Sequence, residues 1–89
     1  MSPIPTRIKW KDFIKAVERI AIKNFGNYKI FPKTGSARRI ELFKNINDKI
    51  PCEICVVHED SVVWSGDLKK VCSALKVSKE YFQKIVDSL

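Results

Sequence analysis

The apolar residues of this chain change their spacing twice, and that change limits the fold more than any single motif. Between Trp10 and Phe25 they recur at helical intervals, as Trp10, Phe13, Ile14, Val17, Ile20, Ala21 and Phe25. Lys11, Lys15, Glu18, Arg19 and Lys23 fill the opposite face, so an amphipathic helix is expected with its aromatic stripe in the core. Gly26-Asn27 then offers residues that accept a left-handed backbone, a reading that ends the helix there.

From Tyr28 the period drops to two. Tyr28–Phe31 runs into Pro32, which stops it, and Ala37–Phe43 alternates with Ile40 and Leu42 on one face, Arg39 and Glu41 on the other. Asn45–Lys49 is turn chemistry. Ile50–Val57 is rich in β-branched residues and is expected to place Ile50, Cys52, Ile54 and Val56 on the inner side. Helical spacing returns with Leu68, Val71, Cys72 and Leu75, capped by Ser65 or Asp67. It restarts at Ser78, whose neighbour Val77 is placed to staple against Phe82.

The order is therefore α-β-β-β-α with a short extra helix: an α+β fold with a three-stranded antiparallel sheet and the helices on one face. Such a sheet keeps its other face open. If Ile40 and Leu42 face the helices, Ala37 points outward beside Arg39 and Glu41.

A length of 89 residues allows one domain, spanning 1–89, and no second core. No apolar run approaches the ~20 residues of a membrane span. The opening Met1–Arg7 lacks the apolar centre of a secretory signal, so a cytoplasmic location is expected. Three cysteines, an odd number, fit a reducing compartment. Seventeen Lys and Arg against ten Asp and Glu leave a net charge of +7, the balance of a domain that meets phosphates.

Cys52-Glu-Ile-Cys55 followed by His58 has metal-like spacing, but residues three apart on a strand point to opposite faces. With Cys72 inside a helical apolar face there is no second ligand pair, so buried thiols are expected rather than a metal. His58, the one histidine, falls on the parity expected to be buried, which favours a structural role. Lys29, Lys33, Arg38, Arg39 and Lys44 cluster around the first hairpin. With a Gly35-Ser36 turn and its free N–H groups beside them, they form a candidate phosphate site. A P-loop, a dinucleotide fingerprint and a nucleophilic triad are all missing.

Two stretches carry a family resemblance. "HEDSVVWSGDLKKVCSALKVSKEYF", His58 to Phe82, has a His ending the third strand, Gly66, Leu68 and a helix closed by a restart at Ser78. "KTGSARRIEL", Lys33 to Leu42, has Gly35-Ser36 at the start of the second strand. Together they resemble the HicA (YcfA-like) mRNA interferase toxins of type II toxin–antitoxin systems, small basic proteins with a double-stranded-RNA-binding-domain-like fold. The resemblance runs from Trp10 to about Phe82.

In that family Gly-Ser is followed by the catalytic His; here position 37 is Ala. The resemblance implies an endoribonuclease that cleaves mRNA without metal or other cofactor, by attack of the ribose 2′-OH on the adjacent phosphate. It also implies a HicB-like antitoxin protein as partner, with no membrane or small-molecule cofactor involved. Gly35, Ser36, Lys29, Lys33, Arg38 and Arg39 are then the RNA-binding residues. Alanine can neither move a proton nor stabilise charge, so the chain as written is expected to be inactive. Its intact surroundings favour a His→Ala replacement over natural loss. Two alternatives stand beside this reading: a non-catalytic nucleic-acid-binding module of the same fold, and a protein-interaction domain whose basic face meets an acidic partner.

Overall fold

The computed structural model describes residues 8–89; the stretch 1–7, read above as free of a secretory signal, lies outside them. The elements run β1 (Ile8–Lys9), α1 (Trp10–Asn24), β2 (Asn27–Pro32), β3 (Ala37–Phe43), β4 (Glu53–His58), β5 (Val62–Val63), α2 (Ser65–Leu75) and α3 (Lys79–Asp87). Strands β2, β3 and β4 form an antiparallel sheet in that spatial order, and the helices pack against one of its faces. This is the α+β arrangement expected from the spacing. A second ribbon, β1 paired antiparallel with β5, goes beyond that expectation, because two-residue strands are too short to show a period.

The core lies between the sheet and the helices. Phe13, Ala16, Val17, Ile20 and Ala21 of α1 meet Ile40, Leu42 and Val57 of the sheet, with Leu68, Val71, Cys72 and Leu75 of α2 and Phe82 of α3. Phe13 sits at its aromatic centre: its ring stacks on Trp10 at 5.4 Å and tilts against Phe82 at 5.6 Å. Ser78 caps α3 as expected, its hydroxyl oxygen accepting the Tyr81 N–H at 3.0 Å.

Three local expectations are corrected. Helix α1 ends without a left-handed residue, since its cap Phe25 is extended. Gly26 serves a different need. A Cβ there would lie 2.5 Å from the Lys44 carbonyl oxygen and 2.6 Å from the Asn45 Cα, so glycine permits the close approach of the two chain segments. Helix α2 is preceded by Trp64, with no side-chain cap; Ser65 is already helical, and Asp67 turns back toward β4.

The third correction concerns β4. The strand begins at Glu53 rather than Ile50, and its register pairs Ile40 with Cys55 and Arg38 with Val57. Cross-strand partners share a face, so Cys55 and Val57 point inward with Ile40. Ile54 is 47% exposed and Ile50 82%, while Cys52 is also exposed. With Glu53 as its one charged residue, the stretch Ile50–Val57 gives little hint of which parity is inner, and a shift of one residue exchanges the two faces completely.

Candidate nucleic-acid interface

The hairpin between β2 and β3 is a tight loop built on glycine. Lys33 N–H donates to the Ala37 carbonyl at 2.9 Å, and Ala37 N–H donates back to Thr34 at 3.2 Å. Gly35 takes φ +61°, a conformation in which a Cβ is strained. Arg38 secures the loop from below. One guanidinium nitrogen donates to the Gly35 and Ala37 carbonyls at 3.0 and 2.9 Å, and Nε pairs with Glu59 at 2.9 Å. With the carbonyls engaged, the N–H groups of Thr34, Gly35 and Ser36 have no protein acceptor among the described residues. Successive free N–H groups of this kind form an anion-binding concavity.

Ala37 opens β3 just beyond this loop. Its face also carries Lys29 and Phe31 of β2, Arg39 and Glu41 of β3, and Ile54, Val56 and His58 of β4, since the register pairs Phe31 with Arg39, Arg39 with Val56 and Ala37 with His58. Phe31 is 41% exposed and stands diagonally beside position 37, a ring available for stacking. The open face expected for Ala37 is therefore present, with apolar side chains and cations interleaved.

The cations expected to bind phosphate are not equivalent. Lys33 is exposed at the loop. Lys29 is exposed and rests its ammonium 5.4 Å from the Phe43 ring. Arg39 lies with Nε 2.8 Å from Glu41 Oε2, out of line for a hydrogen bond, so that contact is ionic and offsets part of the arginine's charge. Arg38 spends Nε and one terminal nitrogen on Glu59 and the loop carbonyls, and so clamps the hairpin. Sequence spacing cannot show these pairings, because Glu59 is 21 residues away along the chain.

His58 departs most from expectation. Rather than following the buried parity, its side chain is 57% exposed and it stands across from Ala37. Its backbone N–H donates to Asp67 Oδ2 at 3.0 Å, and its ring Nδ1 lies 3.7 Å from that same oxygen. Asp67, at the first turn of α2, is 8% exposed. In the sequence Asp67 reads only as a helix cap, and nothing in its neighbours signals the reach across to β4.

Burial pushes the Cys55 and Cys72 thiols up to about 11, from an ordinary 9.0, so neither is a nucleophile near neutrality. Raised thiol values favour the neutral form in the fold. That contribution is complete below about pH 9 and is lost as pH climbs through about 11. Cys52 is exposed and the other two are sheltered. At pH 8 a disulfide reagent is expected to label one thiol rapidly in the native protein and all three in denaturant. Rapid native labelling of three would contradict the placement of Cys55 and Cys72.

Comparison with models of known protein families, with curated proteins and with solved structures finds no match for this chain. No helix among the described residues is long and apolar enough to cross a membrane. No cluster of three His, Cys, Asp or Glu side chains that could hold a metal occurs among them either.

Proposed function

We propose that this chain is a HicA-like ribonuclease toxin whose proton-transfer position, residue 37, carries Ala. Its substrate is mRNA, and a HicB-like antitoxin is the protein that covers the open face in the cell. One observation carries the reading. Position 37 sits on an open sheet face between an exposed aromatic ring, Phe31, and the one histidine, at the mouth of a loop with free N–H groups and Lys33.

The parts suit the chemistry. Loop N–H groups and Lys33 hold a phosphate and oppose the negative charge that builds on its oxygens. Phe31 offers a face on which a flanking base stacks, without sequence preference. An open sheet admits a polymer strand, and Phe31 with Ile54 supplies the apolar area that a protein inhibitor needs. What the site lacks is a group at 37 able to take or give a proton, and cleavage by Ala37→His protein is the decisive test.

Binding gives a second check on the chain as it stands. Affinity for single-stranded RNA is expected to fall with salt, with a log–log slope of about 0.7 for every phosphate the protein neutralises. Lys33→Ala is expected to leave about one phosphate fewer neutralised, and so to flatten the slope by about that amount. Arg39→Ala flattens it less, because Glu41 already shares its charge. An unaltered slope in Lys33→Ala takes Lys33 out of the phosphate path. Absence of any salt-dependent RNA affinity favours the protein-interaction alternative.

A further inference from the structure

His58 and Ala37 are a particular kind of cross-strand pair. Neither uses its N–H on the other: Ala37 donates to Thr34, and His58 donates to Asp67. The adjacent ladder bond runs from Glu59 N–H to the Ser36 carbonyl at 2.8 Å. That pattern marks the non-hydrogen-bonded pair of an antiparallel ladder, whose α-carbons approach to about 4.5 Å and whose side chains are the closest in the sheet. Whatever side chain stands at 37, His58 is its nearest neighbour across the strands. Both lie beside the loop whose N–H groups suit a phosphate.

Asp67 makes the second half of the arrangement. Its carboxylate is almost fully enclosed, yet it accepts the backbone N–H of His58 and faces the Nδ1 side of the ring. Nε2, the other ring nitrogen, has no carboxylate partner among the described residues. A fixed carboxylate on the Nδ1 side orients an imidazole and leaves Nε2 as the nitrogen able to face a substrate. Glu59, the next residue along, is taken up by Arg38, so it does not compete for the ring.

Resting on the ribonuclease reading, we infer that His58 is the second proton-transfer residue of the site, acting as general acid, with Asp67 as its positioning residue. The step is an internal displacement at phosphorus. The 2′-oxygen forms a bond to phosphorus as its proton passes to the group at position 37. The bond from phosphorus to the 5′-oxygen breaks, and that oxygen takes the proton from His58 Nε2. The products are a 2′,3′-cyclic phosphate and a free 5′-hydroxyl. Solvent then takes one proton from position 37 and returns one to His58, so the cycle closes without metal or redox change.

The test uses an RNA cut by the Ala37→His protein and the same RNA with sulfur in place of the bridging 5′-oxygen at the cut site. A thiolate leaves without being protonated. In the Ala37→His background, His58→Gln is expected to slow cleavage of ordinary RNA by about 10²–10⁴-fold. It should leave the sulfur-bridged RNA within a few-fold of its parent. Asp67→Asn is expected to lie between the two on ordinary RNA and, like His58→Gln, to spare the sulfur substrate. Equal losses on both substrates, or no loss on either, overturn the general-acid role.

An independent readout needs no cleavage. The single histidine gives one set of ring resonances, and these are expected to shift when a short single-stranded RNA is added to the unaltered Ala37 protein. Ring signals that stay put while RNA binds overturn the placement of His58 at the phosphate. An inactive Ala37→His protein overturns the ribonuclease reading instead, so the two failures are told apart.

Discussion

Ala37→His protein is expected to cleave single-stranded mRNA, and chelation of divalent cations by EDTA should leave the rate unchanged. A positioned acid or base contributes roughly 10²–10⁴ in rate, and the present side chain at 37 contributes none of it. The substitution should be structurally mild. Position 37 is the first residue of β3, only partly buried, and its face is open to solvent, so an imidazole fits without disturbing Ile40 or Leu42 beneath. Its backbone N–H and carbonyl are already held by Thr34, Lys33 and Arg38, which fixes where the ring starts from. The measurement is product formation on a defined mRNA, with the Ala37 protein purified in parallel to expose contaminating nuclease. Intact RNA in the presence of well-folded Ala37→His protein would falsify the ribonuclease proposal and favour a non-catalytic binding module of the same fold.

The largest expected effect on stability comes from Phe13→Ala. The ring is fully buried, stacked on Trp10 and tilted against Phe82, so it joins α1 to α3. Removing it loses the transfer free energy of the ring and leaves a cavity that rigid neighbours on three elements fill only in part. Such changes cost about 3–5 kcal/mol. A native domain commands only about 5–15 kcal/mol in total, and one this short belongs near the lower end. The variant is therefore expected to melt more than about 12 °C below its parent, given roughly 4–8 °C per kcal/mol at this size. Urea titration by circular dichroism checks it, and a loss under about 1 kcal/mol would mean that Phe13 is not the centre of the core. The exposed Phe31→Ala should cost far less stability, which separates an aromatic that holds the fold from one that faces the proposed RNA.

The two aromatics also show how legible this molecule is from its residues. Phe13 reads as core directly, because its neighbours at i+4, i+7 and i+8, Val17, Ile20 and Ala21, complete an apolar stripe. Ile40 and Leu42 read equally well, since charged Arg39 and Glu41 alternate with them. Phe31 is legible only as a strand residue ahead of a proline. Its exposure depends on which face of the sheet the helices cover.

His58 misleads in the sequence because the faces of its strand are poorly marked. From Ile50 to Val57 polar residues are too few to mark a face, so the expected parity rests on where the strand is taken to start. Moving that start from Ile50 to Glu53 sends His58 from the core to the open face. Arg38 and Arg39, adjacent in sequence and alike in charge, read as equals. In the fold one locks the hairpin to Glu59 and the other leans on Glu41.

By itself, then, the sequence determined the types and order of the three helices and of strands β2 to β4, and the inward faces of α1, α2 and β3. Those follow from the period of apolar residues, a local property. Tertiary structure alone decided the face presented by β4, the pairing of His58 with position 37, the carboxylate behind His58 and the division of labour among the cations. These depend on strand register and on side chains far apart in the chain. No local period encodes them, and a shift of one residue reverses them.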